Sequence, residues 1–179
     1  MKVFLTADSI RVQNPGTRHT RLLRTLTATS TFSFGLSCGA MALMTLVLFP
    51  WLATLPLPEL RAWSALNGGP LRHLMYVVGT TATLATVAAG VVGRTAPWPQ
   101  RAWLLIAAGA IIVVAGVTFG FNKPVNRLIL GTTPIPEIEF PAIIRRWIFW
   151  NGARMPFALL AFYAANRAMH WPAQELRIR

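Results

Sequence analysis

Three stretches of the chain, at about 31–54, 73–93 and 102–121, run without a charge, and a fourth at about 147–166 is interrupted only by Arg154. About twenty helical residues cover the roughly 30 Å of hydrocarbon in a bilayer, so each stretch is near spanning length. No alternation of period two runs through them. Backbone amides in lipid must bond within their own segment or in a closed barrel, so helices are the assignment. The predicted fold is all-α: an integral membrane four-helix bundle over residues 31–168, a basic and partly disordered tail at 1–30, and a short tail at 169–179. Within the first tail, Pro15-Gly16 reads as a breaker and residues 20–27 as a short helix on the membrane surface. The first apolar run begins about thirty residues in, is near full spanning length and leads to no small-residue cleavage site, which speaks against a cleaved signal peptide.

Composition agrees with this pattern: 54% of residues are hydrophobic, 12% are charged, and the mean hydropathy is +0.50. A soluble domain carries about a quarter charged residues. The 17 Lys and Arg exceed the 5 Asp and Glu, but they are scattered between apolar runs without interleaved aromatics. That distribution excludes a nucleic-acid stripe and suits contact with the lipid bilayer. With both termini cytoplasmic, the inner side holds Lys2, Arg11, Arg18, Arg21, Arg24, Arg94, Arg101, Arg167, Arg177 and Arg179, against Arg61, Arg72, Lys123, Arg127, Arg145 and Arg146 outside. The excess inside is the orientation expected of a multi-pass membrane protein. The connections at 55–72 and 122–146 then lie on the far side. Cys38 is the only cysteine, so no intramolecular disulfide forms, and it is expected to pack as a small apolar residue.

Gly35 and Gly39 are four apart on the first helix, and Gly109, Gly116 and Gly120 share a face of the third. Such faces are expected to approach other helices closely, or to meet a second copy or an accessory partner; the alternative is that Gly116 and Gly120 open space for a ligand. Thr80, Thr81, Thr83 and Thr86 crowd the second helix and are expected to bond their own preceding turns.

All five acids (Asp8, Glu59, Glu137, Glu139, Glu175) fall outside the apolar runs, and His73 is the one histidine near them. No metal site is expected from that set. There is no glycine-rich phosphate loop, no GxSxG and no CxxC, so no cofactor is expected either. What remains is "RRWIFWNGARMPF" at 145–157, where Trp147, Asn151 and Arg154 fall on one helical face and Trp150 stands four before Arg154, at cation–π spacing. Pro156 should loosen the helix at the carbonyl of Gly152. An ionisable residue inside a span is a functional-site hypothesis; the alternatives are snorkelling to the interface or a structural clamp on helix-end carbonyls. In "FNKPVNRLILG" at 121–131, Asn122, Pro124 and Asn126 follow the third run. They read either as a helix stop with a surface loop, or as a turn folded back over the bundle mouth with its amides facing Arg154.

The "NKPVN" turn at 122–126 together with "WIFWNGAR" at 147–154 resembles the anthrone oxygenase-like family of small four-span membrane proteins. The resemblance covers the layout of about residues 30–168, with the specific motifs confined to those two stretches. It implies a membrane-embedded oxidation of a lipophilic, anthrone-like aromatic by dioxygen without an evident organic cofactor. Characterised members are fungal enzymes, and many bacterial relatives have no assigned activity. Carried over residue by residue, it marks Arg154, Asn151 and Asn126 as catalytic and Asn122, Pro124, Trp147 and Trp150 as substrate-binding. The position of Asn151 is often histidine in the oxygenases, and an asparagine amide is no general base. A non-catalytic membrane protein that binds a lipophilic ligand, or an accessory subunit, is the competing expectation.

Reporter fusions at the C-terminus and within residues 55–72 should report opposite sides of the membrane; a shared side would overturn the span count.

Overall fold

A computed structural model of the protein describes residues 15–175, and it is a bundle of four long helical rods. The first rod is α1 (Pro15–Leu43), a widened turn at Met44–Leu48 and the short α2 (Phe49–Leu52). The second is α3 (Leu57–Val92), extended by a tight turn at Gly93–Thr95. The third is α4 (Trp98–Val117), a second widened turn at Thr118–Asn122 and α5 (Lys123–Leu130). The fourth is α6 (Phe140–Ala153) and α7 (Met155–Glu175), broken at Arg154. In the bundle, α1 packs on α3 and α7, and α4 packs on α7. The first three rods are long and apolar enough to cross a membrane. The fourth lacks an equally apolar window, because Asn166 and Arg167 fall within α7 and Arg145, Arg146 and Arg154 precede it.

Several expectations change here. Residues 20–27 are part of α1, and Pro15-Gly16, expected as a breaker, lies within the same helix. Most of the connections expected at 55–72 and 122–146 is helical: only 53–56 and 131–139 are loop, and α3, α5 and α6 extend the rods beyond the apolar runs. The 36 residues of α3 make about 54 Å of helix, well over the thickness of the hydrocarbon. These extensions bury one another. Phe49, Leu52, Leu60, Val125, Ile129, Ile144 and Trp147 form a core of their own, a cap on one end of the bundle.

Arg61 fastens that cap. From the second turn of α3 its Nε donates to the carbonyl of Ile129 at 3.0 Å, and Nη2 donates to those of Leu128 at 3.4 Å and Thr133 at 2.6 Å. A cation on the last carbonyls of α5 satisfies groups that the helix end leaves free. Gly131 follows directly, and a Cβ there would run into the carbonyl of Arg127, so the exit from α5 requires glycine.

Alanine, rather than glycine, sets the helix spacing within the bundle. Ala82 of α3, Ala107 and Ala110 of α4 and Ala161, Ala164 and Ala165 of α7 are buried together around Phe34. Gly35 does make a close approach, since a Cβ there would lie 3.3 Å from the ring of Phe162. Gly39, Gly109, Gly116 and Gly120 have open space where a Cβ would stand, so the expected packing faces of Gly39 and of the third rod are not used inside the bundle. The threonines behave partly as expected: Thr83 and Thr86 bond the carbonyls four residues back, and Thr86 also meets Ser30 of α1 at 2.7 Å. Cys38 is free and buried against Met41 and Ala158.

Ala164→Leu should destabilise the protein by about 1–3 kcal/mol through overpacking, whereas Gly116→Leu should leave the melting temperature in detergent nearly unchanged. Equal losses from the two would contradict the alanine-set spacing.

Candidate functional site

Three of the four rods lose regular helical geometry at one level, where bundle meets cap. At Met44–Leu48 and Thr118–Asn122 the turns are widened: the N–H of Phe49 reaches back five residues to the carbonyl of Met44, and that of Lys123 to Thr118. Each widened turn is followed two residues later by a proline, Pro50 and Pro124. A proline ring clashes with the carbonyl four residues before it and offers no N–H. Inserting one residue into the turn moves that carbonyl aside and lets the helix continue. On the fourth rod Pro156 breaks the ladder outright, at the place expected, and Arg154 sits in the gap between α6 and α7.

The chain therefore does not turn back at "NKPVN". It runs on as α5, which places Asn122 and Asn126 on successive turns of one rod facing α6. Pro124 points outward and is exposed, so it shapes the rod without entering the cluster.

Arg154 lies at the centre. Its Nη1 donates to Thr118 Oγ1 at 3.1 Å and its Nη2 to Asn151 Oδ1 at 2.5 Å. The Thr118 hydroxyl in turn donates to the carbonyl of Val114 at 2.6 Å, which turns its lone pairs toward the guanidinium. The Asn151 amide donates through Nδ2 to the carbonyl of Trp147 at 2.8 Å, and the Trp147 indole Nε1 donates to Asn126 Oδ1 at 2.6 Å. The same indole ring packs on Phe49 with centroids 4.6 Å apart. Asn122, 1% exposed, donates through Nδ2 to the carbonyl of Trp150 at 3.4 Å. Opposite Gly152 stands Thr45, whose methyl carbon would lie 3.6 Å from an added Cβ.

Two polar atoms of this layer are buried without a partner: the acceptor Asn122 Oδ1 and the donor Arg154 Nε. Buried polar groups are nearly always bonded, so an unspent acceptor and an unspent donor in one layer make this layer the candidate site.

The structure thus brings Asn122, Asn126, Trp147, Asn151 and Arg154 together, but not in the pattern expected. Arg154 bonds neither Asn122 nor Asn126 directly; its partner from the third rod is Thr118, which sequence reasoning passed over. Its signal was its place four before Asn122 on the same helical face. Nor does Trp150 receive Arg154 on its ring. It stacks on Phe121 instead, with centroids 3.8 Å apart and planes at 11°, because the guanidinium is drawn inward to Thr118 and Asn151. Phe121, exposed on its outer side, was likewise not singled out. No group of His, Cys, Asp and Glu able to hold a metal ion occurs among the described residues.

The profile of a protein family described as anthrone oxygenase matches residues 71–164, more than half of the chain. The chain belongs to the anthrone oxygenase family. Every residue of the hydrogen-bonded layer from Thr118 to Arg154 falls inside the stretch matched to that family, while Thr45 and the rest of the first rod precede it. No curated protein and no solved structure matches the chain. For an anthrone oxygenase family member, the arrangement supplies a fixed cation with a free donor, an amide acceptor and a stacked aromatic face, held between the first, third and fourth rods.

Thr118→Val should cost about 1–3 kcal/mol of stability, since it deprives a buried guanidinium of an acceptor without removing the charge. Thermal unfolding in detergent measures it, and a loss as small as that of a surface threonine would contradict the role of Thr118.

Proposed function

We propose that the protein oxidises a lipophilic, electron-rich aromatic ketone of the anthrone type with dioxygen, in the layer between bundle and cap. The observation that carries this reading is the pair of unspent groups, Arg154 Nε–H and Asn122 Oδ1. A phenolic or enolic hydroxyl matches both, because its oxygen accepts from the guanidinium and its hydrogen is donated to the amide. An anthrone has a methylene between two rings, conjugated to a carbonyl. Loss of one methylene proton puts negative charge on the carbonyl oxygen, and a fixed cation in a site of low polarity favours that anion. The electron-rich anion reacts with dioxygen at the former methylene carbon. One oxygen atom stays there as the new ketone, and the other leaves as water with both methylene hydrogens.

In this reading Arg154 is the catalytic residue and Asn122 the substrate-binding one. Asn151 and Thr118 act through Arg154 as positioning residues, and Asn126 positions Trp147. Trp150 and Phe121 offer the ring system a flat aromatic surface. Asn151 cannot take a proton, and both ends of its amide are already engaged. The methylene proton therefore leaves to solvent, and Arg154 acts by shifting the ionisation of the substrate. The fourth rod crosses the membrane with the other three in this proposal, with both termini cytoplasmic, which the excess of basic residues beside them supports.

In nanodiscs supplied with a hydroxyanthrone whose anion absorbs visible light, the protein should consume one dioxygen per quinone formed and should lower the apparent pKa of the bound substrate. Arg154→Lys should keep the fold, raise that pKa back toward the free value and slow oxidation by on the order of 100-fold. A lowered pKa without oxygen uptake would leave a binding protein; neither effect would overturn the proposal.

A further inference from the structure

At the opposite end of the molecule a groove of about 430 Å³ opens between α1 and α7, lined by Ala28, Thr31, Phe32, Gly35, Leu36, Phe162 and Met169. Its walls are apolar except for one group. Thr31 is 7% exposed, and its hydroxyl is buried without a hydrogen-bond partner. A helical threonine in an apolar setting ordinarily bonds the carbonyl four residues back, as Thr27, Thr83, Thr86 and Thr118 do here. Thr31 lines the groove with the donor of its hydroxyl unspent.

Above the groove, α1 carries Arg24 four residues and Arg21 seven residues before Ala28, on the same helical face, and both are exposed. Of the described carboxylates, Glu59, Glu137 and Glu139 are at the cap end, and neither arginine makes an ion pair among the described residues. The order along α1 is therefore two cations, then a hydroxyl about 10 Å deeper at the helical rise, then an apolar trough that ends where Phe162 closes on Gly35. A phospholipid has the same order: phosphate, glycerol ester, acyl chain.

We propose that this groove binds one anionic phospholipid from the leaflet beside the N-terminal end of α1. Arg21 and Arg24 hold its phosphate, Thr31 donates to a glycerol-ester carbonyl, and an acyl chain lies along Phe32, Leu36 and Phe162. The site is separate from the Arg154 layer and does not rest on the proposed chemistry. Because α1 and α7 are the two walls, the bound lipid ties together the helices on which the fourth rod depends.

The test is native mass spectrometry and thermal unfolding of the full chain in nanodiscs of phosphatidylglycerol or phosphatidylcholine. The unaltered protein should retain one phosphatidylglycerol in preference to phosphatidylcholine. Arg21→Gln and Arg24→Gln should each lower that preference by on the order of fivefold, since a basic residue at the surface contributes about 1 kcal/mol to binding of anionic lipid. Thr31→Val should weaken retention of both lipids, and Ala28→Leu, which narrows the trough, should do so more strongly. Unaltered melting temperatures of the arginine variants in phosphatidylcholine show that the fold is kept. Undiminished preference in the double arginine variant would overturn the proposal. So would equal displacement by glycerol phosphate, which has the headgroup without the chain, or a change in oligomeric mass on Ala28→Leu, which would make the groove a contact between copies.

Discussion

A guanidinium inside an apolar bundle with no acid to pair it is the constraint around which this protein is arranged. Leaving Arg154 among lipid or alkyl side chains would cost on the order of 3 kcal/mol or more. The five acids of the chain lie outside its apolar runs, so the charge is met by dipoles: the hydroxyl of Thr118 and the amide of Asn151, each held by a further hydrogen bond to a main-chain carbonyl. Neutral partners orient a cation without cancelling it. The guanidinium consequently keeps its charge, which an aspartate at the same place would have neutralised.

The prolines make that arrangement possible. A straight α-helix at the level of Arg154 would point its polar groups at intervals set only by 3.6-residue periodicity and would keep every carbonyl bonded. Pro50, Pro124 and Pro156 disturb three rods at one level, two through an inserted residue and one through a break. The inserted residue at Thr118–Asn122 rotates the following turn, so Thr118 meets Arg154 while Asn122 meets the carbonyl of Trp150. Widened turns of this kind are frequent at functional sites. Here their cause is steric and local, and their alignment is tertiary.

The two halves of the molecule around that level are built differently. Below it, alanines of α3, α4 and α7 let the rods approach closely without demanding glycine. Above it, large side chains from α2, α3, α5 and α6 fill a separate core, fastened by Arg61 on the end of α5. The polar layer lies where small-residue packing gives way to large-residue packing, a junction at which side chains of mixed size leave room for hydrogen-bonded groups.

The sequence by itself determined the four helical rods, the all-α class, the break before Pro156 and the face shared by Trp147, Asn151 and Arg154, because these follow from local periodicity and from the missing N–H of proline. It also carried the family, through "NKPVN" and "WIFWNGAR". Only the tertiary structure decided that the helix continues through Pro124, since whether a proline ends a helix or is absorbed by a widened turn depends on what the following residues can bury, and Val125 and Ile129 are buried in the cap. It likewise decided that Thr118 rather than Asn122 receives Arg154, that Phe121 rather than Arg154 lies on Trp150, and that the glycines of the third rod face outward. Each of these is a choice among partners on different rods, and separation along the chain holds no information about distance between helices.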